Sequence, residues 1–218
     1  MEAVLRTHRI FLLSPANVAG KRAKMLLNTG ASFELARRLH NGRKVTLGEA
    51  FSFMSGLYFR GKLAYARAFA HPPDGLSGAY VITSNLGLVP VDTLITAEEL
   101  VSFSGDRIDA QNKGYSEPLM CTASALANAS RDCSIILLGS VASKKYTDPL
   151  LPIFGENLQF PLEFVGRGDM SRGALLLRSA AANQMLNHVA VGSALLRGKR
   201  PPKLFPVQFN GDADTSRD

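Results

Sequence analysis

Four short apolar runs, separated by stretches with helical patterns, constrain the fold of this chain more than any other feature. The runs cover residues 10–13, 79–83, 134–138 and 159–165. Continuous apolar runs of this length are typical of strands that are buried on both faces, as in parallel sheets. Their alternation with helical segments predicts an α/β domain with three layers in a Rossmann-like arrangement, built on a mostly parallel sheet of about four strands.

Capping signals predict where several helices begin. Thr46 is followed three residues later by Glu49, which is the capping-box pattern. Ser116 and Thr147 are the predicted N-caps of two later helices, and the last helix is predicted over residues 170–195. The segment Thr96-Ala97-Glu98-Glu99 predicts the start of one more helix.

The length of 218 residues suits one large α/β domain, predicted over residues 1–197, followed by a basic, Pro-containing and flexible tail over residues 198–218. No apolar run approaches the ~20 residues that a membrane span needs, and the first residues lack the pattern of a secretory signal. We therefore expect a cytoplasmic protein without a membrane partner. The 2 cysteines and 4 histidines share no metal-ligand spacing, so neither a metal nor another cofactor is predicted.

Positive charge is concentrated in the first third of the chain. Residues 1–70 hold 12 Lys and Arg against 3 Asp and Glu, whereas the whole chain has a net charge of +7. Such a basic segment favours a DNA, RNA or phosphate partner, and the alternative is a set of solvated helix faces. The predicted nucleic-acid contacts are Lys21, Arg22, Lys24, Arg60 and Lys62.

Small and polar residues follow all four predicted strands. Because the carboxyl ends of parallel strands meet at one edge of the sheet, these loops predict a polar ligand cleft there. The residues expected to bind a phosphate or another ligand are Ser14, Asn17, Asn85, Ser140, Lys144, Gly166, Arg167, Gly168 and Arg172, with Lys145 as an alternative to Lys144.

The loop from Gly166 to Gly173 is the strongest candidate for ligand binding. Its glycines would let backbone amides approach a phosphate at a helix N-terminus, and its two arginines offer the fork geometry that phosphate prefers. The alternative is an ordinary helix start capped by Asp169. Asn17 and Asn85 are interpreted either as groups that read a base edge or as turn formers.

Several segments resemble known bacterial proteins. Leu13-Ser14-Pro15-Ala16 resembles the opening motif of the YaaA family of peroxide-stress proteins, although Asn17 stands where that motif has lysine. Residues 57–66, 80–92 and 138–152 resemble related uncharacterised bacterial and phage domains. The resemblance spans about residues 10–170 and implies an α/β core, DNA binding and a fold like that of uracil-DNA glycosylase.

Three functions follow as hypotheses. The first is a nucleic-acid- or nucleotide-binding protein with a polar cleft at the strand ends. The second is a small enzyme that acts on a nucleobase, a nucleotide or an N-glycosidic bond, with Asp169 or Asp92 as the general base. The third is a non-catalytic accessory protein, and the sequence leaves open whether the chain is an enzyme.

Overall fold

A mixed sheet of six strands forms the core of the computed structural model, which describes residues 8–42, 45–105, 107–192, 201–202 and 204. The strands are β1 His8–Leu13, β2 Val45–Thr46, β3 Ala79–Ile82, β4 Leu88–Pro90, β5 Leu94–Ile95, β6 Cys133–Leu138, β7 Leu158–Pro161 and β8 His188–Ala190. The helices are α1 Lys21–Leu27, α2 Glu34–His40, α3 Leu47–Ser55, α4 Leu57–Phe69, α5 Ala97–Ser102, α6 Lys113–Ala129, α7 Lys144–Phe154 and α8 Asp169–Ala181.

The strand order in the large sheet is β4-β3-β1-β6-β7-β8, and β2 pairs with β5 in a separate two-stranded ribbon. The four inner strands are parallel, whereas β4 and β8 are antiparallel at the two edges. The prediction of an α/β chain with a mostly parallel sheet is therefore confirmed, but the count of about four strands was too low. The two missed strands are short edge strands of three residues each, and β4 ends at Pro90, which has no N–H to give to a further neighbour.

The order of the parallel strands reverses direction at β1. The chain passes from β1 to β3 on one side, and then crosses back to β6 and β7 on the other side. Where strand order reverses in this way, the loops after the two adjacent strands leave in opposite directions and open a crevice between them. The crevice lies at the carboxyl ends of β1 and β6.

The inner strands are apolar throughout because they are covered on both faces. Residues 10–13 of β1 have no exposed surface, and all six residues of β6 are buried. Burial of each Leu, Ile or Phe side chain contributes about 1.5–3 kcal/mol to folding, so the two central strands anchor the core. The sequence predicted both strands to within two residues at their ends.

Two glycines bring α4 and α8 into close contact. A Cβ atom on Gly61 would lie 2.5 Å from the carbonyl oxygen of Gly173, and a Cβ atom on Gly173 would lie 2.8 Å from Cα of Tyr58. No larger residue fits at either position without a shift of the backbone. Gly173, which the sequence placed in a phosphate loop, is therefore a residue of the helix contact. The crossing sets Tyr58 and Lys62 of α4 beside the first turn of α8.

Helix starts agree with the capping signals at some sites only. The predicted box at Thr46 is confirmed, since Glu49 N donates to Thr46 Oγ1 at 3.2 Å and the Glu49 carboxylate accepts from Thr46 N at 2.8 Å. The hydrogen bond from Arg38 lowers the pKa of that carboxyl to about 2. The predicted cap at Ser116 was wrong, because α6 begins at Lys113 and Asn112 caps it.

The segment of residues 144–190 differs most from the prediction. Helix α7 begins at Lys144, ahead of the predicted cap Thr147. Strand β7 ends at Pro161 and a 3-10 turn follows, so the glycine-rich loop does not come directly after a strand. Helix α8 ends at Ala181 and the chain returns as β8, where the sequence predicted one long helix. Asn183 adopts a positive φ of 49° after α8, which helix-forming residues disfavour.

The predicted flexible tail, residues 198–218, lies outside the described residues except for positions 201, 202 and 204. Among the helices of the described ranges, none is long and apolar enough to cross a membrane.

Candidate functional site

A cleft of about 400 Å³ opens at the carboxyl ends of β1 and β6, where the strand order reverses. The loop after β1 contributes Ser14 and Asn17 to its lining, and the loop after β6 contributes Ser140. The hydroxyl of Ser14 also donates to the carbonyl oxygen of Leu138 at 3.2 Å, which ties the two strand ends together. The sheet therefore fixes the position of one wall of the cleft.

Helices complete the cleft. Helix α4 contributes Tyr58, α7 contributes Lys145 and Tyr146 from its first turn, and α8 contributes its first residue, Asp169. The N-cap residues of α7 and α8 make no side-chain capping hydrogen bond. Amide groups in the first turn of a helix have no partner within the helix, and the helix dipole makes this end attractive to negative charge.

Lys62 does not line the cleft itself but lies directly behind Ser14 and Tyr58, and it is only 1% exposed. Its ammonium group donates to the carbonyl oxygen of Ser14 and to the Ser14 hydroxyl, the latter at 2.8 Å. It also lies 4.3 Å from the ring centroid of Tyr58. None of the ion pairs among the described residues includes Lys62. Burial without a carboxylate partner lowers the pKa of Lys62 to about 7.

Two tyrosines meet at the same place. Tyr58 is 9% exposed, and its buried hydroxyl makes no hydrogen bond of normal geometry among the described residues, although it lies close enough to Arg172 to interact with that guanidinium. Burial raises the pKa of Tyr58 to about 12, so this hydroxyl keeps its proton and remains a donor at neutral pH. Burial also raises the pKa of Tyr146. The floor of the cleft thus offers a buried donor that the protein itself does not use.

The charged residues that line the cleft are Lys145 and Asp169, and the cations of Arg172 and Lys62 lie behind this lining. Asp169 is 72% exposed, and Arg172 Nη1 lies 3.8 Å from its carboxylate. Arg172 itself is mostly buried and donates to the carbonyl oxygen of Phe164 at 3.1 Å. Lys145 adds a second cation, with its ammonium 4.9 Å from the ring centroid of Tyr146. Together with the partly protonated Lys62, these side chains favour an anion in the cleft.

A second cavity of about 200 Å³ lies on the other side of the loop after β1. Residues 15–17 line both cavities. The second cavity is lined largely by apolar side chains, including Phe51, Phe103 and Ile108, with Thr83 and Ser84 from the end of β3. The polar cleft and the apolar cavity are therefore neighbours along the edge of the sheet.

Three predicted ligand residues and one predicted general base come together in the cleft. They are Ser14, Asn17, Ser140 and Asp169, which are up to 155 positions apart in the chain. Asn17 also shows its alternative role as a turn former, since its Oδ1 accepts from Ala19 N at 3.0 Å.

The other predicted ligand residues lie elsewhere. Arg167 donates to the carbonyl oxygen of Glu163 at 3.0 Å and to Ser171 Oγ at 3.2 Å, and it lines a different surface depression. The side-chain amide of Asn85 donates to the carbonyl oxygen of Ser102 at 3.1 Å. The remaining predicted positions that do not line the cleft are Lys144, Gly166, Gly168 and Arg172, although Arg172 stands behind Asp169.

Asp92, predicted as an alternative general base, is remote from the cleft. It follows β4, which runs antiparallel to β3, so its end of the strand points to the opposite edge of the sheet. Asp92 is 68% exposed there and pairs with Arg67 at 3.0 Å. The strand direction, which the sequence did not reveal, explains why only one of the two aspartates lies at the cleft.

The predicted basic surface requires a correction at Lys62, because a side chain that is 1% exposed cannot contact a nucleic acid. Arg22 donates to the carbonyl oxygen of Phe53 at 3.1 Å, and Arg60 donates to that of Gly56 at 3.3 Å. Lys21 and Lys24 are exposed on α1. Three further arginines in this third of the chain are paired with acids, namely Arg37 with Glu34, Arg38 with Glu49 and Arg67 with Asp92.

Tyr58 was not among the predicted site residues, Lys145 was predicted only as an alternative to Lys144, and Lys62 was predicted in a different role. Tyr58 and Lys62 are four residues apart and share one face of α4. That spacing could have identified them as neighbours on one face of a helix. Because α7 begins earlier than predicted, Lys145 rather than Lys144 enters the cleft.

Among the described residues, no group of three His, Cys, Asp or Glu side chains is placed to hold a metal ion. The comparisons with family models, curated proteins and solved structures gave no match to this chain.

Proposed function

We propose that this protein binds a small phosphorylated ligand of the nucleotide class in the cleft at the carboxyl ends of β1 and β6. The observation that carries the proposal is a convergence at the point where strand order reverses. A cation on Lys145, a buried donor on Tyr58 and the first turns of α7 and α8 meet there. Each of these groups favours a negatively charged oxygen atom.

The topology supports a three-layer, Rossmann-like interpretation of the domain. Crossovers between parallel strands are almost always right-handed. The crossover from β1 to β3 runs in one direction along the sheet, and the crossovers to β6 and β7 run in the other. Right-handed crossovers in opposite directions place their helices on opposite faces of the sheet. In sheets of this kind, ligands bind outside the carboxyl ends of the strands at the reversal.

The size and lining of the two cavities suit a nucleotide better than a bare anion. The polar cleft of about 400 Å³ lies within the usual range for small-ligand sites, about 300–1,000 Å³. The neighbouring cavity of about 200 Å³ has an apolar lining that includes Phe51, Phe103 and Ile108, which suits the apolar surface of a base. Asn17 stands between them, and Asp169 can accept a hydrogen bond from a sugar hydroxyl or a base amine.

The arginines in the first third of the chain already contact other groups of the protein, which favours a small ligand over a long nucleic acid. Binding along a DNA or RNA backbone needs several free cations on one surface. In the first third of the chain, the described arginines donate to backbone carbonyls or pair with acids, as Arg22 and Arg38 do. Among the described residues of this third, Lys21 and Lys24 on α1 are exposed and take part in none of the ion pairs described above.

A matched pair of lysine variants tests the proposal. Lys145 and Lys144 are adjacent in the first turn of α7, but only Lys145 lines the cleft. We expect nucleoside mono-, di- or triphosphates to raise the melting temperature of the protein, because a ligand that binds only the folded state stabilises it. Isothermal titration should show that Lys145→Ala weakens binding by about tenfold or more, the loss expected for one charge-assisted hydrogen bond, whereas Lys144→Ala changes it by less than about twofold.

Absence of a thermal shift with every nucleotide and with inorganic phosphate at about 5 mM would overturn the proposal. Equal losses in the two lysine variants would also argue against a site in the cleft. A labelled oligonucleotide provides the other arm of the experiment. Tight, steeply salt-dependent binding of the oligonucleotide that survives in Lys145→Ala would point instead to a nucleic-acid surface at α1.

A further inference from the structure

The Ser14 hydroxyl and the Lys62 amine form a buried polar contact that nucleotide binding does not require. The two groups lie 2.8 Å apart, and the residues are 7% and 1% exposed. Ser14 also lines the cleft, so its hydroxyl lies between the ligand space and the lysine. This is the spacing of a nucleophile and its general base.

A purely structural role does not account for the lysine well. Any buried donor could satisfy the Ser14 carbonyl oxygen, and an ammonium group is a costly choice in an apolar setting. Lys62 lies against the rings of Tyr58 and Phe59, at 4.3 Å and 5.1 Å from their centroids. No carboxylate pairs with it among the ion pairs of the described chain. Burial lowers the pKa of Lys62 to about 7, which provides a neutral amine at physiological pH.

We propose that Ser14 is a catalytic nucleophile and Lys62 its general base, and that the pair hydrolyses a carboxylic ester or amide bond in a small anionic substrate. The proposal rests on the proposed function only for the anionic character of the substrate and for the place where it lies. The proposed function assigns only ligand binding to the cleft, whereas the Ser14–Lys62 pair would make it a hydrolytic active site.

The reaction proceeds in two balanced halves. In the resting protein the Ser14 hydroxyl donates to the carbonyl oxygen of Leu138 and accepts from the Lys62 ammonium. Once Lys62 is neutral, the hydroxyl turns toward the amine, which accepts its proton while Ser14 Oγ forms a bond to the acyl carbon and the carbonyl π electrons move to the carbonyl oxygen. Collapse of this tetrahedral intermediate breaks the bond to the leaving alcohol or amine, which takes the proton from the Lys62 ammonium. Water then attacks the acyl-Ser14 ester with Lys62 again as base, releasing the carboxylic acid and restoring Ser14.

Two features of the cleft can stabilise the negative oxygen of the intermediate. The Tyr58 hydroxyl is a buried donor without a hydrogen bond of normal geometry among the described residues. The first turn of α7 brings amide groups and a positive dipole end to the same cleft through Lys145 and Tyr146. Donors fixed in advance where charge develops are the usual source of stabilisation in acyl transfer.

An ethyl fluorophosphonate probe tests the proposal without knowledge of the natural substrate. Attack by an activated serine forms a bond from Oγ to phosphorus and expels fluoride, and the adduct is visible in the intact mass. We expect one adduct per chain, mapped by peptide analysis to Ser14 and absent in Ser14→Ala. Ser124→Ala is the matched control, because Ser124 is exposed on α6 and away from the cleft, and it should react like the wild type.

The role of Lys62 is tested by the rate of labelling. Loss of a general base lowers such rates by about 100-fold or more, so we expect at least this loss in Lys62→Met. In the wild type, the rate should rise with pH with a midpoint near 7, as Lys62 loses its proton. This pH profile keeps the test decisive if Lys62→Met does not fold.

The proposal is overturned if folded wild-type protein forms no Ser14 adduct, or if the labelling rate is flat between about pH 6 and pH 8. Labelling at an unchanged rate in folded Lys62→Met would overturn the role of the lysine. Because the probe reacts whether or not nucleotides bind, the two proposals fail separately. Labelling of Ser14 without nucleotide binding would leave the catalytic pair and reject the nucleotide ligand.

Discussion

At the residue scale, the cleft is distinguished by polar groups that are costly to bury. An unsatisfied buried hydroxyl costs about 1–3 kcal/mol, and Tyr58 carries one at 9% exposure. Lys62 carries a second such cost, since burial opposes its charge. Both residues face the ligand edge of the sheet from one helix. Groups that reduce stability at a ligand-binding edge are typical of functional sites.

The substitution Tyr58→Phe separates the effect of the buried hydroxyl on stability from its effect on nucleotide binding. Removal of the unpaired hydroxyl should leave the free energy of unfolding unchanged or raise it by about 1 kcal/mol. The same change should weaken nucleotide binding by about tenfold, because a donor to the anion is lost. Chemical denaturation and isothermal titration measure the two effects.

Tyr65→Phe is the control for this prediction. The Tyr65 hydroxyl accepts from Leu186 N at 2.9 Å and lies 3.0 Å from His188 Nε2, away from the cleft lining. Its loss should cost about 1–2 kcal/mol of stability and leave nucleotide affinity unchanged. A Tyr58→Phe protein that loses as much stability as Tyr65→Phe would contradict the absence of a normal hydrogen bond at the Tyr58 hydroxyl.

At the scale of elements, the contact between α4 and α8 assembles the site. Gly61 and Gly173 let the two helix backbones approach each other closely. The crossing sets Asp169 and Arg172, in the first turn of α8, beside Tyr58 and Lys62. The glycine-rich segment therefore contributes to the site through packing of a helix rather than as a phosphate loop.

Gly173→Ala should destabilise the protein by about 1–3 kcal/mol, as overpacking in a tight core does. The added Cβ would lie 2.8 Å from Cα of Tyr58 and 2.9 Å from the carbonyl oxygen of Leu57, and backbone atoms cannot swing aside. The clash outweighs the gain in helix propensity, which is about 1 kcal/mol for Gly to Ala. Gly30→Ala is the control, because its nearest neighbour is the Asn28 side chain at 3.4 Å. The free energy of unfolding is measured by urea denaturation, and equal losses in the two variants would argue against the close crossing of α4 and α8.

At the scale of the whole molecule, strand direction decides which side chains can reach the cleft. The four parallel strands bring the ends of β1 and β6 to one edge, whereas antiparallel β4 sends Asp92 to the other edge. The reversal of order at β1 then opens the crevice at a single position along that edge. The buried lysine at this position also affects the stability of the entire fold.

The free energy of unfolding should depend on pH through Lys62. Its pKa falls from 10.5 to about 7 on folding, so the unfolded chain binds more protons between these two values. Stability therefore rises with pH across this window, with a slope from this group of up to about 1.4 kcal/mol per pH unit. Below pH 7 both states are protonated and the full cost of burial remains.

The substitution Lys62→Met removes the pH-dependent contribution of Lys62 to the free energy of unfolding. The difference in unfolding free energy between Lys62→Met and the wild type should fall steadily as the pH rises from about 7 to about 10. Any constant offset from the hydrogen bonds to Ser14 leaves that slope unaffected. Urea titrations at several pH values measure it, and parallel curves for the two proteins would show that Lys62 does not titrate in this range.

The sequence by itself determined the features that depend on near neighbours along the chain. The apolar runs of β1 and β6, the capping box at Thr46 and the helix start at residues 96–99 were predicted at their observed places. Strand burial leaves a continuous apolar run, and a capping box needs only four consecutive residues. The α/β class follows from the alternation of these local patterns.

Only the tertiary structure decided which groups meet. Ser14 and Lys62 are 48 residues apart, and Asp169 lies more than 100 residues beyond both. Their contact depends on the order of strands in the sheet and on the crossing of α4 with α8, which are set by burial and close packing between distant segments. Helix starts such as that of α7 were mispredicted because several polar residues competed as caps, and packing chose among them. The sequence therefore located a polar edge, and the fold placed the buried lysine and tyrosine beneath it.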